Sequence, residues 1–221
     1  MCGIVGYIGE KQAQPILVGG LRRLEYRGYD SAGVVTLNSK GKAELLRAKG
    51  KVAELEAKVA EHKTNDTVGI GHTRWATHGA PSKRNAHPHA AGDIYLVHNG
   101  IIENYQELKD DLEALGYIFT SQTDTEVVAH LVHEAMKSTP NLLKAVEQVV
   151  PQLKGAFALG IGHTDHPDEL IAVREGAPLV IGVGIGENFI SSDQLALLPV
   201  TNRFMYLEEG DIARITRTSI D

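Results

Sequence analysis

The chain has 221 residues, 43% of them apolar, and 22 basic against 28 acidic side chains give a net charge of −6. That length holds one large domain or two small ones, with enough apolar side chains for a sizeable core. Lys and Arg are scattered without a basic run, which argues against nucleic acid as a partner, and a single cysteine excludes an internal disulfide and fits a reducing cytosol.

Residues 2–8 form an apolar run with the length of a buried strand. Ile16, Leu17, Leu21 and Leu24 then mark one face of a helix. Residues 32–37 and 43–48 read as paired strands joined at Asn38-Ser39-Lys40-Gly41, a good turn. Val52, Leu55 and Val59 recur at helical spacing, and residues 68–73 and 94–98 read as strands. Asn104 is a candidate cap for a helix carrying Tyr105, Leu108, Leu112 and Leu115, stopped by Gly116. A second helix runs through Val127, Val128, Leu131 and Ala135, and a third through Leu143, Val146, Val150 and Leu153. From Gly155 the pattern turns to strands: 156–161, 169–173, 179–183, 188–191, 204–207 and 212–215. Strands cluster at both ends and helices come in consecutive groups. That arrangement argues for packed sheets covered by helices, an α+β fold, rather than an alternating parallel sheet. The N-terminus lacks the charged and apolar regions of a signal peptide. The most apolar stretch, residues 177–186, falls well short of the roughly 20 residues that span a bilayer. The expectation is a cytoplasmic protein with no membrane partner.

Cys2 directly follows the initiator methionine. One proteolytic cut would place a nucleophile and a base on the same residue. The freed α-amine has a reference pKa of about 8 and accepts a proton near neutral pH. The thiol, at about 8.5, is a strong nucleophile once ionised. A lone cysteine opening a strand is also a small buried apolar residue, and from Cys2 alone that reading competes.

The dense segments that follow change the balance. They are RRLEYRGYDSAG (22–33), GHTRWATHG (71–79), NAHPH (85–89), HNGIIENY (98–105), SQTDTE (121–126) and ENFISSDQLALLPVT (187–201). With the CGIVGYIG start, they resemble the glutaminase domains of the glutamine:fructose-6-phosphate amidotransferase (glucosamine-6-phosphate synthase) family. These are class II glutamine amidotransferases among the N-terminal nucleophile hydrolases. The resemblance covers essentially the whole chain, residues 1–221, as one glutaminase domain. It implies a four-layer αββα sandwich and no cofactor. It also implies hydrolysis of L-glutamine to L-glutamate and ammonia through a γ-glutamyl thioester on Cys2. In the full-length family enzyme a sugar-phosphate isomerase domain, expected after residue 221, uses that ammonia to make glucosamine 6-phosphate from fructose 6-phosphate. That enzyme is a possible homodimer.

By the same resemblance, Asn99 and Gly100 form the oxyanion hole; read alone, the dipeptide is a strong turn signal. Arg74 takes the glutamine α-carboxylate with its planar fork, and Asp124 takes the α-ammonium. A strand-end arginine and a helix N-cap before Thr125-Glu126-Val127 compete with those roles. Trp75, Thr77 and His78 belong to a loop over the ligand. Arg27 and Gly28 position the N-terminal residue, or simply make a structural turn.

Four histidines, His72, His78, His87 and His89, crowd one region. It offers no thiol and no HExxH helix, so no metal is expected; His87 and His89 are read as bracing the loop by hydrogen bonds. Gly182-Val183-Gly184-Ile185-Gly186 lacks the lysine and following helix of a phosphate loop and reads as a turn between strands. Two other functions stay open: a ligand-binding or regulatory module that never exposes Cys2, and a glutaminase serving a different acceptor.

Overall fold

A computed structural model describes residues 2–76 and 79–221. In chain order the elements are β1 (Gly3–Ile8), α1 (Ala13–Leu24), β2 (Ser31–Leu37), β3 (Ala43–Lys49), α2 (Val52–Glu61), β4 (Val68–Arg74), β5 (His89–Ala91), β6 (Ile94–Ile102) and α3 (Tyr105–Ala114). They continue with α4 (Thr125–Ser138), α5 (Leu142–Val149), β7 (Gly155–His163), β8 (Leu170–Glu175), β9 (Val180–Val183), β10 (Asn188–Ser191), β11 (Phe204–Tyr206) and β12 (Ile212–Ile215).

The strands form two antiparallel sheets, one ordered β11-β9-β10-β1-β4-β2-β3 and the other β12-β8-β7-β6-β5. Strand alternation sorts side chains between layers. On β1, Ile4 and Ile8 face the second sheet and join Val68, Ile70, Tyr95, Val97 and Ala172 in the central core. Val5 and Tyr7 point the other way, into a core shared with Leu17, Leu21 and Leu24 of α1 and Leu55 of α2. On β6, Ile94 and Leu96 face Val128 and Val132 of α4 and Val146 of α5. Helices, sheet, sheet and helices therefore stack in four layers, the αββα α+β sandwich expected above. Among the described residues no helix is long and apolar enough to cross a membrane.

The turn at Asn38 forms as expected: Gly41 N–H donates to the Asn38 carbonyl at 3.0 Å and Lys40 N–H to its side chain at 2.9 Å. The glycine run after Gly182 is likewise a turn, between β9 and β10, closed by Gly184 N–H on the Glu187 carbonyl at 3.0 Å. Three local readings differ. β6 does not stop at residue 98 but runs to Ile102, with Asn99 opposite Ala158 and Gly100 opposite Phe157. The Asn-Gly pair is thus mid-strand and not a turn. β5 is a three-residue strand that periodicity cannot detect. Asn104 stands at the start of α3 but makes no capping bond. Its amide instead bonds the Gln152 carbonyl and Lys154 N–H, at 2.8 and 2.9 Å, and ties α3 to the chain entering β7.

Candidate active site

Cys2, Arg74, Trp75, His98, Gly100 and Asp124 line one small cavity at the edge of the inter-sheet layer. Residues scattered over 120 positions meet there because β1, β4 and β6 all deliver their ends to the same place. Cys2 leads into β1, the central strand of its sheet. Its Sγ accepts a hydrogen bond from Trp75 N–H at 3.1 Å. Burial raises the thiol pKa, and that N–H partly offsets the rise.

Asn99 reaches across from β6. Its Nδ2 donates to the Cys2 carbonyl at 3.1 Å, and its Oδ1 lies 3.0 Å from His72 Nε2. Gly100 beside it has φ of 109°, and a Cβ there would stand 2.0 Å from the Ala156 carbonyl oxygen. No other residue type fits without moving β7, so the strand passes the thiol with bare backbone.

Arg74 ends β4 with its side chain almost wholly buried. Its guanidinium donates to the Gly79 and Ala80 carbonyls at 3.2 and 3.3 Å, and Asp30 lies 4.0 Å away. The same Asp30 accepts from Ala76 N–H, so one carboxylate ties the Arg74 head to the chain leaving β4. Burial lowers the Arg74 pKa and Asp30 opposes that shift, which leaves the group charged at neutral pH. Asp124 occupies the N-cap position of α4 without capping it. Its carboxylate turns back to accept Ile102 N–H at 2.8 Å, so the capping alternative raised by the sequence is not the one adopted. The loop ahead of α4 is held by Glu126, which accepts Thr120 and Ser121 N–H at 2.8 and 2.6 Å. Burial pushes that carboxyl up, but the hydrogen bonds from His130, Ser121 and Thr120 prevail and hold it at about 2.

Arg27 does not run alone through its segment. Its Nη2 pairs with Asp193 Oδ2 at 2.8 Å, joining two motif segments 166 residues apart. Gly28, with φ of 99°, lies under the Trp75 ring, where a Cβ would meet Cε3 at 3.1 Å. Trp75 itself is half exposed at the cavity rim. Thr77 and His78, also expected near the ligand, lie outside the described residues.

Behind the cavity sits a buried cluster of histidines. His72 stacks on His87, ring centroids 4.0 Å apart and planes 11° from parallel. His98 N–H donates to His87 Nδ1 at 3.3 Å, so the His87 proton resides on Nε2, facing Thr125 Oγ1. Thr125 in turn bonds His98 Nδ1 at 2.9 Å, and His89 Nε2 pairs with Thr123 Oγ1 at 3.0 Å. Burial holds His72 and His89 at about 3 and drives His87 well below its ordinary value. These rings are neutral, and each spends a nitrogen on the protein. They brace the NAHPH segment as its sequence suggests. The same segment is tied to SQTDTE through Asn85, whose side chain exchanges two bonds with Gln122 at 2.8 and 3.0 Å.

Three residues at or beside the site escaped the sequence reading: Asp30, Asn85 and His72 as a partner of Asn99. Asp30 and Asn85 sit inside the motif segments, and that membership was the only signal available.

The model of a glutamine amidotransferase domain matches residues 72–199, more than half of the chain. Glutamine–fructose-6-phosphate aminotransferase [isomerizing] of Acinetobacter baylyi is 70% identical over all of this chain, and that of Escherichia coli 57%. The chain spans 36% of the length of either relative. Among solved structures, glutamine phosphoribosylpyrophosphate amidotransferase from B. subtilis superposes on 100% of the chain, and on 48% of its own length, with a TM-score of 0.85 at 29% identity. A glutamine aminotransferase class-II domain protein from Silicibacter pomeroyi shares the fold, with a TM-score of 0.67 at 13% identity over 97% of this chain and 95% of its own. Match and geometry agree, and the chain belongs to the glutamine amidotransferase domain family.

Proposed function

We propose that this chain hydrolyses L-glutamine to L-glutamate and ammonia, with Cys2 as the nucleophile. The observation that carries the reading is the meeting of one thiol, one bare glycine, one buried arginine and one buried aspartate around a single cavity, with a side-chain amide bonded to the Cys2 carbonyl beside it. Glutamine presents the matching groups: an amide carbonyl, an α-carboxylate and an α-ammonium.

Removal of Met1 frees the Cys2 amine. That amine takes the thiol proton, through a water, and the thiolate attacks the amide carbon of glutamine. Negative charge moves to the carbonyl oxygen, where Asn99 Nδ2 and Gly100 N–H receive it; one such donor contributes roughly 10²–10³ in rate. The C–N bond breaks, the amine returns its proton to the leaving nitrogen, and ammonia departs. Water then attacks the thioester, glutamate leaves and the thiol is restored. Arg74 pairs with the α-carboxylate and Asp124 with the α-ammonium, which fixes the amide over sulfur. Trp75, Thr77 and His78 cover the bound ligand, and Arg27 and Gly28 hold residue 2 and the Trp75 ring in place.

In the full-length protein a further domain consumes the ammonia. The 70% identity to a fructose-6-phosphate aminotransferase supports fructose 6-phosphate as acceptor and glucosamine 6-phosphate as product. Residues 1–221 are then the glutaminase domain and an isomerase domain follows, in an enzyme that assembles as a homodimer in the cytoplasm.

The test pairs intact-mass analysis with an assay of glutamate and ammonia. Processed wild type releases both in equal amounts, whereas Cys2→Ala binds glutamine without turnover. Full turnover by molecules that retain Met1 refutes the N-terminal mechanism, because their Cys2 nitrogen is an amide and no longer a base.

A further inference from the structure

An asparagine amide serves an oxyanion only one way round. Rotated half a turn, it presents oxygen where a donor is required. For Asn99 the orientation is fixed atom by atom. His72 Nε2 lies 2.9 Å from the His98 carbonyl oxygen and 3.0 Å from Asn99 Oδ1. A backbone carbonyl can only accept, so Nε2 carries the proton. A donor at that point demands the oxygen end of the Asn99 amide. The nitrogen end therefore points the other way, 3.1 Å from the Cys2 carbonyl. Of its two hydrogens, one satisfies that carbonyl and the second remains for a reacting group. The flipped amide would set N–H against N–H at His72 and oxygen against oxygen at Cys2.

The ring that delivers this proton is itself held. His72 has no exposed surface, and its plane rests on His87 at 4.0 Å. Its other nitrogen, Nδ1, is buried without a partner among the described residues, as a bare lone pair on the Nε2–H tautomer would be. A phenyl ring at position 72 would keep an aromatic face toward His87 but carry no Nε2 donor.

We propose that His72 is a positioning residue for glutamine hydrolysis: its Nε2–H, with the tautomer set by the His98 carbonyl, locks the Asn99 amide with nitrogen toward the carbonyl oxygen of the attacked amide. His72 touches neither thiol nor substrate and acts only through Asn99. This rests on the glutaminase reading and adds a residue to it that forms no part of the cavity lining.

The test compares wild type, His72→Phe, His72→Gln, Asn99→Ala and the double variant His72→Phe/Asn99→Ala in the glutamate and ammonia assay. Phe keeps the stack and removes the donor; Gln can place an N–H where the ring had it. His72→Phe should lower kcat about 10- to 100-fold, less than the roughly 10²–10³ for a deleted oxyanion donor, with KM within about threefold. His72→Gln should recover most of the loss. On the Asn99→Ala background His72→Phe should cost less than about twofold, because coupled residues are not additive. An equal cost on both backgrounds, equal damage from Phe and Gln, or a loss confined to KM overturns the proposal. Long-range ¹H–¹⁵N NMR of the wild type decides it separately, and needs no variant to fold. A protonated Nε2 with bare Nδ1 at neutral pH supports the lock, and an Nδ1–H tautomer overturns it. Wild type that releases no ammonia refutes the glutaminase reading instead, and the NMR result still decides the orientation of the amide.

Discussion

At one end of the space between the sheets, Val68 and Ile70 of β4 meet Tyr95 and Val97 of β6 and Ala172 of β8. Further along the same faces of the same strands stand His72 and Arg74 of β4 and Asn99 of β6, with Cys2 ahead of Ile4 on β1. β2 repeats the change, from Leu37 and Val35 to Gly33 and Ser31. Side chains two apart share a face, so these are continuations of one layer and not separate surfaces. The apolar end gains from burial alone. At the polar end nearly every buried group needs a specific partner, since a buried polar atom left alone costs about 1–3 kcal/mol. A fold of this kind puts chemistry where the central layer runs out of apolar side chains, and the sheets that carry the site are anchored a few residues away.

The comparison breaks if the two ends do not separate stability from turnover. Ile70→Ala deletes buried methyl groups between the sheets and should lower unfolding free energy by about 2–5 kcal/mol in urea titration. Glutamine KM should stay within about twofold of wild type under folding conditions. A large KM change there would show that the apolar end shapes the pocket directly.

Arg74→Ala tests the other end. It should reduce kcat/KM about 10²-fold, the equivalent of roughly 2–3 kcal/mol for a charge-assisted pair, and the loss should fall mainly on KM. Arg74→Lys keeps the charge but not the fork, and should recover only part of it. Unaltered kinetics in Arg74→Ala would remove it from the carboxylate.

The last effect is a slope. His72 and His89 stay neutral in the fold, burial holding each at about 3, whereas in the unfolded chain each protonates near 6.5. Between those values the unfolded chain binds more protons, so stability falls as pH drops below about 6.5, by at most about 1.4 kcal/mol per pH unit for each ring. Glu126, held at about 2, adds its own loss only below about pH 4.5. Chemical denaturation at pH 7, 6 and 5 should show the decline beginning above the carboxylate range, and His89→Gln should flatten it. A stability constant from pH 7 to 5 would mean that these rings are not held neutral.

Much of this was legible in the sequence, because alternation and helical spacing are local. Packed sheets covered by helices follow from which strands alternate and where helices group; the four-layer count comes from the family resemblance. Cys2, Arg74, Gly100 and Asp124 fall within motif segments, and the fold brings all four to one cavity. What was hidden is long-range pairing. Asn99-Gly100 carries the same local signal as a turn such as the one at Asn38, yet it lies mid-strand because β7 pairs with both residues. Asp124 looks like a cap, but Ile102 on β6 supplies a competing N–H that only the folded chain presents. The bond from His72 to Asn99 crosses from one sheet to the other, and nothing in either segment records it.

β1 is the central strand of seven, and its backbone is fixed as far as the residue after Cys2. Gly3 stands opposite Thr73, and Ile4 exchanges bonds with Ser192 at 2.9 and 3.1 Å. The backbone is therefore moored in the middle of a sheet one peptide bond from the thiol. If Cys2 acts as proposed, a fusion or affinity handle grafted ahead of residue 2 would leave the sulfur without a free amine beside it.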